Sequence, residues 1–223
     1  SVSLGGNFSS TTHGKDSAGL YAWSRAGNGG NGRNGAAANG GIGGNGGQGG
    51  SIDIKSVPGH SAAITTSKDN AQGVFLLSEA GNGGDGGRSS IANGRSGGWG
   101  GGGGSIELDG DWAITTAGID AHGIVAQSVG GTGGRGGNSG LFGGGGGGGA
   151  TGPSGPVTIT TGGSIQTFGA GAYGLIAESI AGHAGDGGTT IGLLPFAAAG
   201  GSAGAGGKVT ITNSAAITTG GEQ

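Results

Sequence analysis

A block of fifteen residues occurs four times in this chain and aligns without gaps. Its copies share a glycine, and consecutive shared glycines are 54, 50 and 51 residues apart. A period of this size predicts an array in which each repeat stacks on its neighbours. The four copies are "STTHGKDSAGLYAWS" (10–24), "ITTSKDNAQGVFLLS" (64–78), "ITTAGIDAHGIVAQS" (114–128) and "IQTFGAGAYGLIAES" (165–179), with Gly19, Gly73, Gly123 and Gly174 in common.

A second, shorter block precedes each copy and keeps the same period. It reads "SVSL" (1–4), "SIDI" (51–54), "SIEL" (105–108), "PVTI" (156–159) and "KVTI" (208–211), which aligns Val2, Ile52, Ile106, Val157 and Val209. The chain is therefore interpreted as one array, residues 1–223, with repeats at 1–50, 51–104, 105–155 and 156–207 and a partial fifth repeat at 208–223. Because it begins at Ser1 in mid-pattern, we expect a fragment of a longer protein.

Apolar and polar residues alternate inside both blocks, as in half-buried strands. After each shared glycine, the first, third and fifth positions are predicted to face inward, and the fifth is always serine. The turn before this strand has Asp16, Asn70, Asp120 and Gly171 in one column, residue types that tolerate a left-handed backbone.

These patterns predict an all-β fold, a parallel β-solenoid with three short strands per coil. Single coils of about 24 residues bury little surface, so stacking must supply the core. A β-sandwich or an up-and-down barrel is the competing arrangement. We favour the solenoid because a sandwich does not require the same three-strand sequence pattern to occur four times.

Glycine-rich arms of 26 to 28 residues connect the coils, at 25–50, 79–104, 129–155 and 180–207. Within them a non-glycine recurs at every third position, as in "GNGGDGGR". Three residues per turn is the period of the polyproline II helix. We therefore expect each arm to run out and back as a hairpin, extending on the order of 40 Å. Equivalent arms would then stack at the strand spacing into a polyglycine II-like layer.

The middles of the arms are mostly apolar and give a candidate contact surface. Stacked tips would form an exposed ridge, which often marks an interaction site. In the alternative that we favour from the sequence, the tips fold back over Tyr21, Phe75 and Val125. The tip residues are Ile91, Leu141, Phe142, Leu193, Leu194 and Phe196.

The amino-acid composition argues against several classes of protein. Glycine accounts for 68 residues but proline for only 4, which rules out collagen. The formal net charge of −3 argues against nucleic acid as a partner. The chain has no cysteine for disulfides or thiolate metal sites, and no apolar run long enough for insertion into a membrane.

Catalytic, cofactor and metal motifs are also not found. No arm ends in the Gly-Lys-Ser/Thr of a phosphate loop, and no calcium-binding nonapeptide surrounds Asp85 or Asp186. The four histidines share no metal-ligand spacing. Glu107, Asp109 and Asp111 lie beside Trp112, which could stack on a sugar, but one acidic strand edge is typical of a solvated face. We expect no enzyme activity, no cofactor and no metal.

Threonine pairs such as Thr65–Thr66, Thr115–Thr116 and Thr218–Thr219 align between coils. A flat threonine array could bind ice. In the shorter block, however, the columns of Thr158 and Thr210 contain charged residues such as Asp53 and Glu107 in other coils. Ice binding is therefore kept as a third hypothesis.

"GIVAQSVGGTGGRGG" (123–137) and "GLIAESIAG" (174–182), preceded by "ITTAGIDA" and its variants, resemble the repeats of glycine-rich autotransporter passenger proteins. The resemblance covers essentially the whole chain. It implies a β-solenoid at the outer surface of a Gram-negative bacterium, with an adhesive role and no shared catalytic residues. The expected partners are a host surface, a glycan or a like cell. A self-assembling filament or surface-layer component is the second hypothesis.

Overall fold

The structure is a computed structural model that describes residues 2–4, 7–57, 59–192 and 196–220. These residues form strands and extended segments but no helix, so none provides an apolar helix long enough to span a membrane. The all-β prediction is confirmed. The strands are β1 (Val2–Leu4), β2 (Ser9–Thr12), β3 (Leu20–Arg25), β4 (Ile52–Ser56), β5 (Ala62–Thr66), β6 (Val74–Glu79), β7 (Ile106–Thr116), β8 (Ile124–Val129), β9 (Val157–Thr167), β10 (Leu175–Ile180), β11 (Val209–Asn213) and β12 (Ala216–Thr219).

Two parallel sheets contain all these strands. One has eight strands, with β7 and β9 at its centre, and the other has four in the order β10–β8–β6–β3. Every strand pairs with its equivalent in the neighbouring repeat. In the smaller sheet Leu20 pairs with Val74, Val74 with Ile124, and Ile124 with Leu175. Parallel pairing of successive copies of one segment is consistent with a β-solenoid.

Three short strands per coil occur in the first two repeats, whereas β7 and β9 each run through the first two strand positions as a single strand of 11 residues. Glycine makes this continuity possible. Gly110 has φ +133° and Gly163 has φ +85°, backbone conformations that other residues rarely adopt.

The first strand pairs in a different register from the one that the sequence alignment gives. Val2 was aligned with Ile52 but pairs with Ile54, and Leu4 pairs with Ser56. A shift of two residues leaves every side chain on the same face of the sheet, so alternation cannot distinguish the two registers.

The core lies between the two sheets and consists of the inward columns. The predicted inward positions after the shared glycine are confirmed in the second repeat, where Val74, Leu76 and Ser78 are all fully buried. The predicted left-handed turn is confirmed too: φ is +58° at Asp16, +53° at Asn70, +52° at Asp120 and +70° at Gly171.

The serine at the fifth position joins the third strand to the end of the returning arm. Ser128 Oγ donates to Gly104 O at 2.8 Å and accepts a hydrogen bond from Gly155 N at 2.8 Å. Ser78 makes the same two bonds, to Gly50 O and from Gly104 N. Since the hydroxyl satisfies backbone groups in two consecutive repeats, no apolar residue can replace it without leaving buried polar atoms unpaired.

The arms are ordered by backbone hydrogen bonds at every third residue. Within the first arm, Gly41 N, Gly44 N and Gly47 N donate to Arg33 O, Gly30 O and Gly27 O, which makes its two legs antiparallel. Other bonds reach the next repeat, as from Gly29 N to Asn82 O at 2.8 Å. The first half of each arm is its outgoing leg, and the second half is its returning leg.

Close approach of backbones explains why glycine occupies the positions between legs. A Cβ built on Gly29 would lie 1.9 Å from Gly44 O, whereas one built on the adjacent Gly30 would meet nothing within 4 Å. Side chains are therefore excluded from one position and permitted at the next.

This difference predicts the effect of two adjacent substitutions. Gly29→Ala should lower the free energy of unfolding by about 1–3 kcal/mol or more, because the clash is with backbone that has no room to move. Gly30→Ala should change it by less than about 0.5 kcal/mol. Urea unfolding of both variants checks this, and equal effects would show that the legs do not pack as described.

Candidate contact surfaces

The outward side chains of β3, β6, β8 and β10 form one surface, called here the strand-3 face. Its first column is Tyr21–Phe75–Val125–Ile176, its second Trp23–Leu77–Gln127–Glu178, and its third Arg25–Glu79–Val129–Ile180. The first column is wholly apolar or aromatic. The face is therefore an apolar stripe with charged groups at its edge.

Aromatic residues are most exposed where β3 lies on this face. Tyr21 is 56% and Trp23 is 47% exposed. The Tyr21 ring stacks on Phe75 with centroids 5.5 Å apart and planes 7° apart. The Arg25 guanidinium lies 5.5 Å from the Trp23 ring centroid and also pairs with Glu79 at 3.5 Å. The rings are thus held in position while leaving surface open to a partner.

The arm tips are exposed, so the favoured sequence prediction that they fold back is wrong. Ile91 is 49%, Leu141 54%, Phe142 75% and Phe196 66% exposed. Of the three residues that the tips were expected to cover, Tyr21 is open to solvent, Phe75 is half-buried and Val125 is buried. Leu193 and Leu194 lie outside the described residues. The tips are held by isolated bridges from Gly35 through Ser89 and Ser139 to Thr190, so they stack in line with the arms.

The outer face of the outgoing legs has polar side chains that bond to the next repeat. Asn28 Oδ1 accepts a hydrogen bond from Asn82 N at 2.9 Å, and Asn82 Oδ1 accepts one from Thr132 N at 2.8 Å. Asp85 Oδ1 accepts one from Arg135 N at 2.8 Å, so this aspartate caps a backbone donor. The backbone N–H groups that point outward from these legs have no backbone acceptor. A side-chain amide or carboxylate oxygen from the preceding repeat accepts their hydrogen bonds instead. The period of these residues is visible in the sequence, but their role as caps is not.

The returning legs have an outer surface of small side chains in the last two arms, called here the return-leg face. Backbone bonds set its columns: Gly97 N donates to Gly147 O, and Gly148 N donates to Ala199 O. Pro153, Ala199, Ser202 and Ala205 are exposed. In the first two arms the same columns contain the exposed Ile42 and Trp99. The result is a mildly apolar surface with few projecting groups.

Trp112 is not available for stacking on a sugar, because its side chain is fully buried in the core. The acidic residues near it lie on β7, in the middle of the larger sheet, and contribute to a charged patch on its outer face. There Lys55 Nζ lies 3.0 Å from Glu107 and 3.7 Å from Asp53. The hydrogen bond with Glu107, followed by the charge of Asp53, raises the pKa of Lys55. These are surface ion pairs, which contribute little to stability.

Half of the aligned threonines face inward. Thr66 and Thr116 are buried, and their hydroxyls donate to Ala71 O and Ala121 O. They close the turn before the third strand and are not available to ice. The outward column reads Thr11–Thr65–Thr115–Gln166–Thr218, so a glutamine interrupts it.

The histidines do not assemble into a site. His13 contacts Ser67 Oγ at 3.1 Å, and His60 contacts Asn7 Oδ1 at 3.3 Å. Across the described part of the chain, no group of three or more histidine, aspartate or glutamate side chains is placed to bind a metal ion.

His122 differs from a simple surface histidine. Its Nδ1 accepts a hydrogen bond from Tyr173 N at 3.0 Å, and its ring lies 5.4 Å from the Tyr173 ring. Partial burial lowers the pKa of His122 below its ordinary value, and the charge of Asp120 opposes this effect.

Comparisons with known proteins give one structural similarity. No family model matches the chain, and no curated protein matches it. A solved structure that matches is the nine polyproline type II helical bundle antifreeze protein of the springtail Granisotoma rainieri. It is 22% identical, the match covers 85% of this chain and 97% of that one, and the TM-score is 0.28. This score lies below that of proteins with a shared fold.

The environment of His122 predicts a pH dependence. His122 should titrate below 6.5, its ordinary value. At pH values between the pKa of His122 in the folded state and 6.5, the unfolded chain binds more protons than the folded chain. The free energy of unfolding should therefore fall as the pH drops from 6.5 toward the pKa of the folded state. NMR titration and urea unfolding across this range test it. His122→Gln should remove this part of the slope, and a pKa of His122 above 6.5 would contradict the assignment.

Proposed function

We propose that this chain is a non-enzymatic structural and adhesive module of a bacterial surface protein, and that it contacts a partner protein through the strand-3 face. One observation carries the proposal: Tyr21, Trp23 and Arg25, in consecutive outward positions of β3, are all exposed. Trp, Tyr and Arg are the residues most enriched among those that dominate binding energy at protein interfaces.

The surroundings of these three residues fit a protein partner. Phe75 and Leu77 lie beside them in the next repeat and extend the apolar area. Farther along the face, Gln127 Nε2 donates to Glu178 Oε2 at 2.7 Å. A central apolar region with polar groups around it is the usual composition of a protein interface. A carbohydrate would need more convergent hydrogen-bonding groups than this face offers.

The arms supply the rigidity that an adhesive module needs. In the first three arms each leg is hydrogen-bonded at every third residue, to the other leg of its arm and to legs of the next repeat. We propose that they form polyglycine II-like layers, since the bonding period equals that of the polyproline II helix. Ser24, Ser78, Ser128 and Ser179 bond to the returning leg, which couples the arms to the strand-3 face.

The adhesive function is testable with beads coated with the purified chain and applied to cultured epithelial cells. Beads should bind, and binding should fall at least tenfold, a loss of about 1.4 kcal/mol, for Trp23→Lys. Trp99→Lys is the matched control, because Trp99 is also exposed but lies on the returning leg, and it should bind normally.

Treatment of the cells separates the classes of partner. Removing surface proteins with a protease should abolish binding, whereas removing glycans should leave it. Binding that survives the protease, or that is equal in the Trp23 and Trp99 variants, would overturn the proposal. Concentration-dependent light scattering of the free chain would instead support a self-assembling filament.

A second candidate function, ice binding, is favoured by the return-leg face and not by the threonines. Gly147 and Ala199 lie in one column of this face and Ala150 and Ser202 in the next, so no large side chain interrupts these columns in the last two arms. Their backbone register holds the columns at a constant spacing, and such a surface can order a layer of water.

Thermal hysteresis measurements decide this second function. The unmodified chain should slow ice growth, and Ala199→Lys should remove the effect because a long charged side chain disrupts the surface. Trp23→Lys should leave the hysteresis unchanged. Absence of hysteresis in the unmodified chain would eliminate ice binding.

A further inference from the structure

The arm tips of the second and third repeats project apolar side chains into solvent. Ile91 is 49% exposed, and Leu141 and Phe142 are 54% and 75% exposed. Isolated bridges link four consecutive tips, so both of these tips have a neighbour on each side, and the neighbours do not cover them. Phe142 N donates to Ile91 O at 3.2 Å, which places the two tips side by side. The three side chains are called here the tip ridge.

Hydrogen bonds of hydroxyl groups order the turns that present the tip ridge. Ser139 Oγ donates to Gly143 O across its own turn. In the second arm, Ser89 Oγ accepts a hydrogen bond from Ala92 N at 2.9 Å and donates to a carbonyl of the preceding arm at 2.8 Å. Because the turns are already ordered, contact with a partner costs little conformational entropy.

The charge around the tip ridge is positive. The outer parts of the two arms, residues 86–96 and 136–147, contain Arg88 and Arg95 as their charged residues and no carboxylate. Both arginines are exposed, and neither forms an ion pair with a described residue. The tip ridge is therefore bordered by two uncompensated positive charges.

The length of the arm separates these charges from the acidic residues of the coils. Glu79 and Glu107 flank the second arm, and at about 3.1 Å per residue they lie roughly 30 Å or more from Ile91. Asp85 lies nearer, roughly 9 Å along the leg from Arg88. The electrostatic screening length at physiological ionic strength is about 8 Å. The negative net charge of the chain is thus screened from its tips.

The combination of an apolar ridge and arginines decides between two kinds of partner. The same ridge on a second copy would bring Arg88 and Arg95 of both copies together, and like charges oppose this contact. An anionic lipid surface is complementary, because exposed apolar side chains enter the boundary between headgroups and acyl chains and guanidinium groups bind phosphates in bidentate fashion. A straight row of tips also contacts a planar bilayer at several points at once.

We propose that the tip ridge binds an anionic lipid surface. Ile91, Leu141 and Phe142 enter the headgroup boundary, and Arg88 and Arg95 pair with lipid phosphates. Only side chains enter the lipid, so this contact differs from the insertion of a chain segment. It also uses a different surface from the strand-3 face, and it is independent of the adhesive function.

Vesicle binding tests the proposal with the folded 223-residue chain. The chain is sedimented with vesicles of phosphatidylcholine alone or mixed equally with phosphatidylglycerol. It should bind the anionic vesicles about thirtyfold more tightly, which is the effect of two basic residues near an anionic surface. Replacing both arginines, Arg88→Gln with Arg95→Gln, should remove this preference. Phe142→Ser should weaken binding about tenfold, because a large apolar side chain no longer leaves water.

Two exposed tryptophans away from the tips provide controls. Trp99→Ser removes an apolar side chain from the returning leg, and Trp23→Lys alters the strand-3 face, so both variants should bind vesicles normally. Phe142→Trp should also bind, and lipids brominated on their acyl chains should quench its added fluorescence. Anionic phospholipids are concentrated in the cytoplasmic leaflet of a cell, so the tip ridge does not contribute to bead binding on intact cells.

Several results would contradict the lipid assignment. They are no binding to the anionic vesicles, equal binding to both kinds of vesicle, normal binding by Phe142→Ser, and no added quenching in Phe142→Trp. Self-association of the unmodified chain that is lost in Phe142→Ser, without vesicle binding, would assign the tip ridge to a second copy instead.

Discussion

Backbone hydrogen bonds between consecutive repeats are the interaction on which the rest of the structure depends. In the arms they replace both the helix and the sheet as the means of satisfying main-chain polar groups. Legs must approach until backbone touches backbone, and at Gly29 even one methyl group would overlap Gly44 O. The high glycine content is thus a packing requirement. It makes each arm dependent on its neighbours, since a lone extended leg has no internal hydrogen bonds.

The arms and the strands share one repeat spacing, and the serine column connects them. Ser78 and Ser128 each bond to returning legs of two consecutive repeats, so a change in the offset of the arms would strain the third strand. The same dependence on the next repeat appears in the Asn28 and Asp85 caps. The stability of each repeat therefore depends on its neighbour.

Surfaces that can contact a partner occur where this network leaves side chains free. The strand-3 face is one, because alternate residues of a strand must point outward, and there Tyr21 and Trp23 are exposed. The arm tips and the return-leg face are others. The proposed adhesive function uses the first of these surfaces. The buried Trp112 shows that an aromatic residue in an acidic segment can belong entirely to the core.

The sequence by itself determined the all-β class, the inward columns and the left-handed turn at Asn70, because periods and residue types encode them locally. It also located the period-three arms. Tertiary structure decided the register of Val2 on Ile54, which alternation cannot distinguish from Ile52. It also decided the exposure of Phe142 and the burial of Trp112, which depend on whether other segments cover those side chains. The partners of the arm asparagines lie about fifty residues away, so only the stacking of repeats could reveal them.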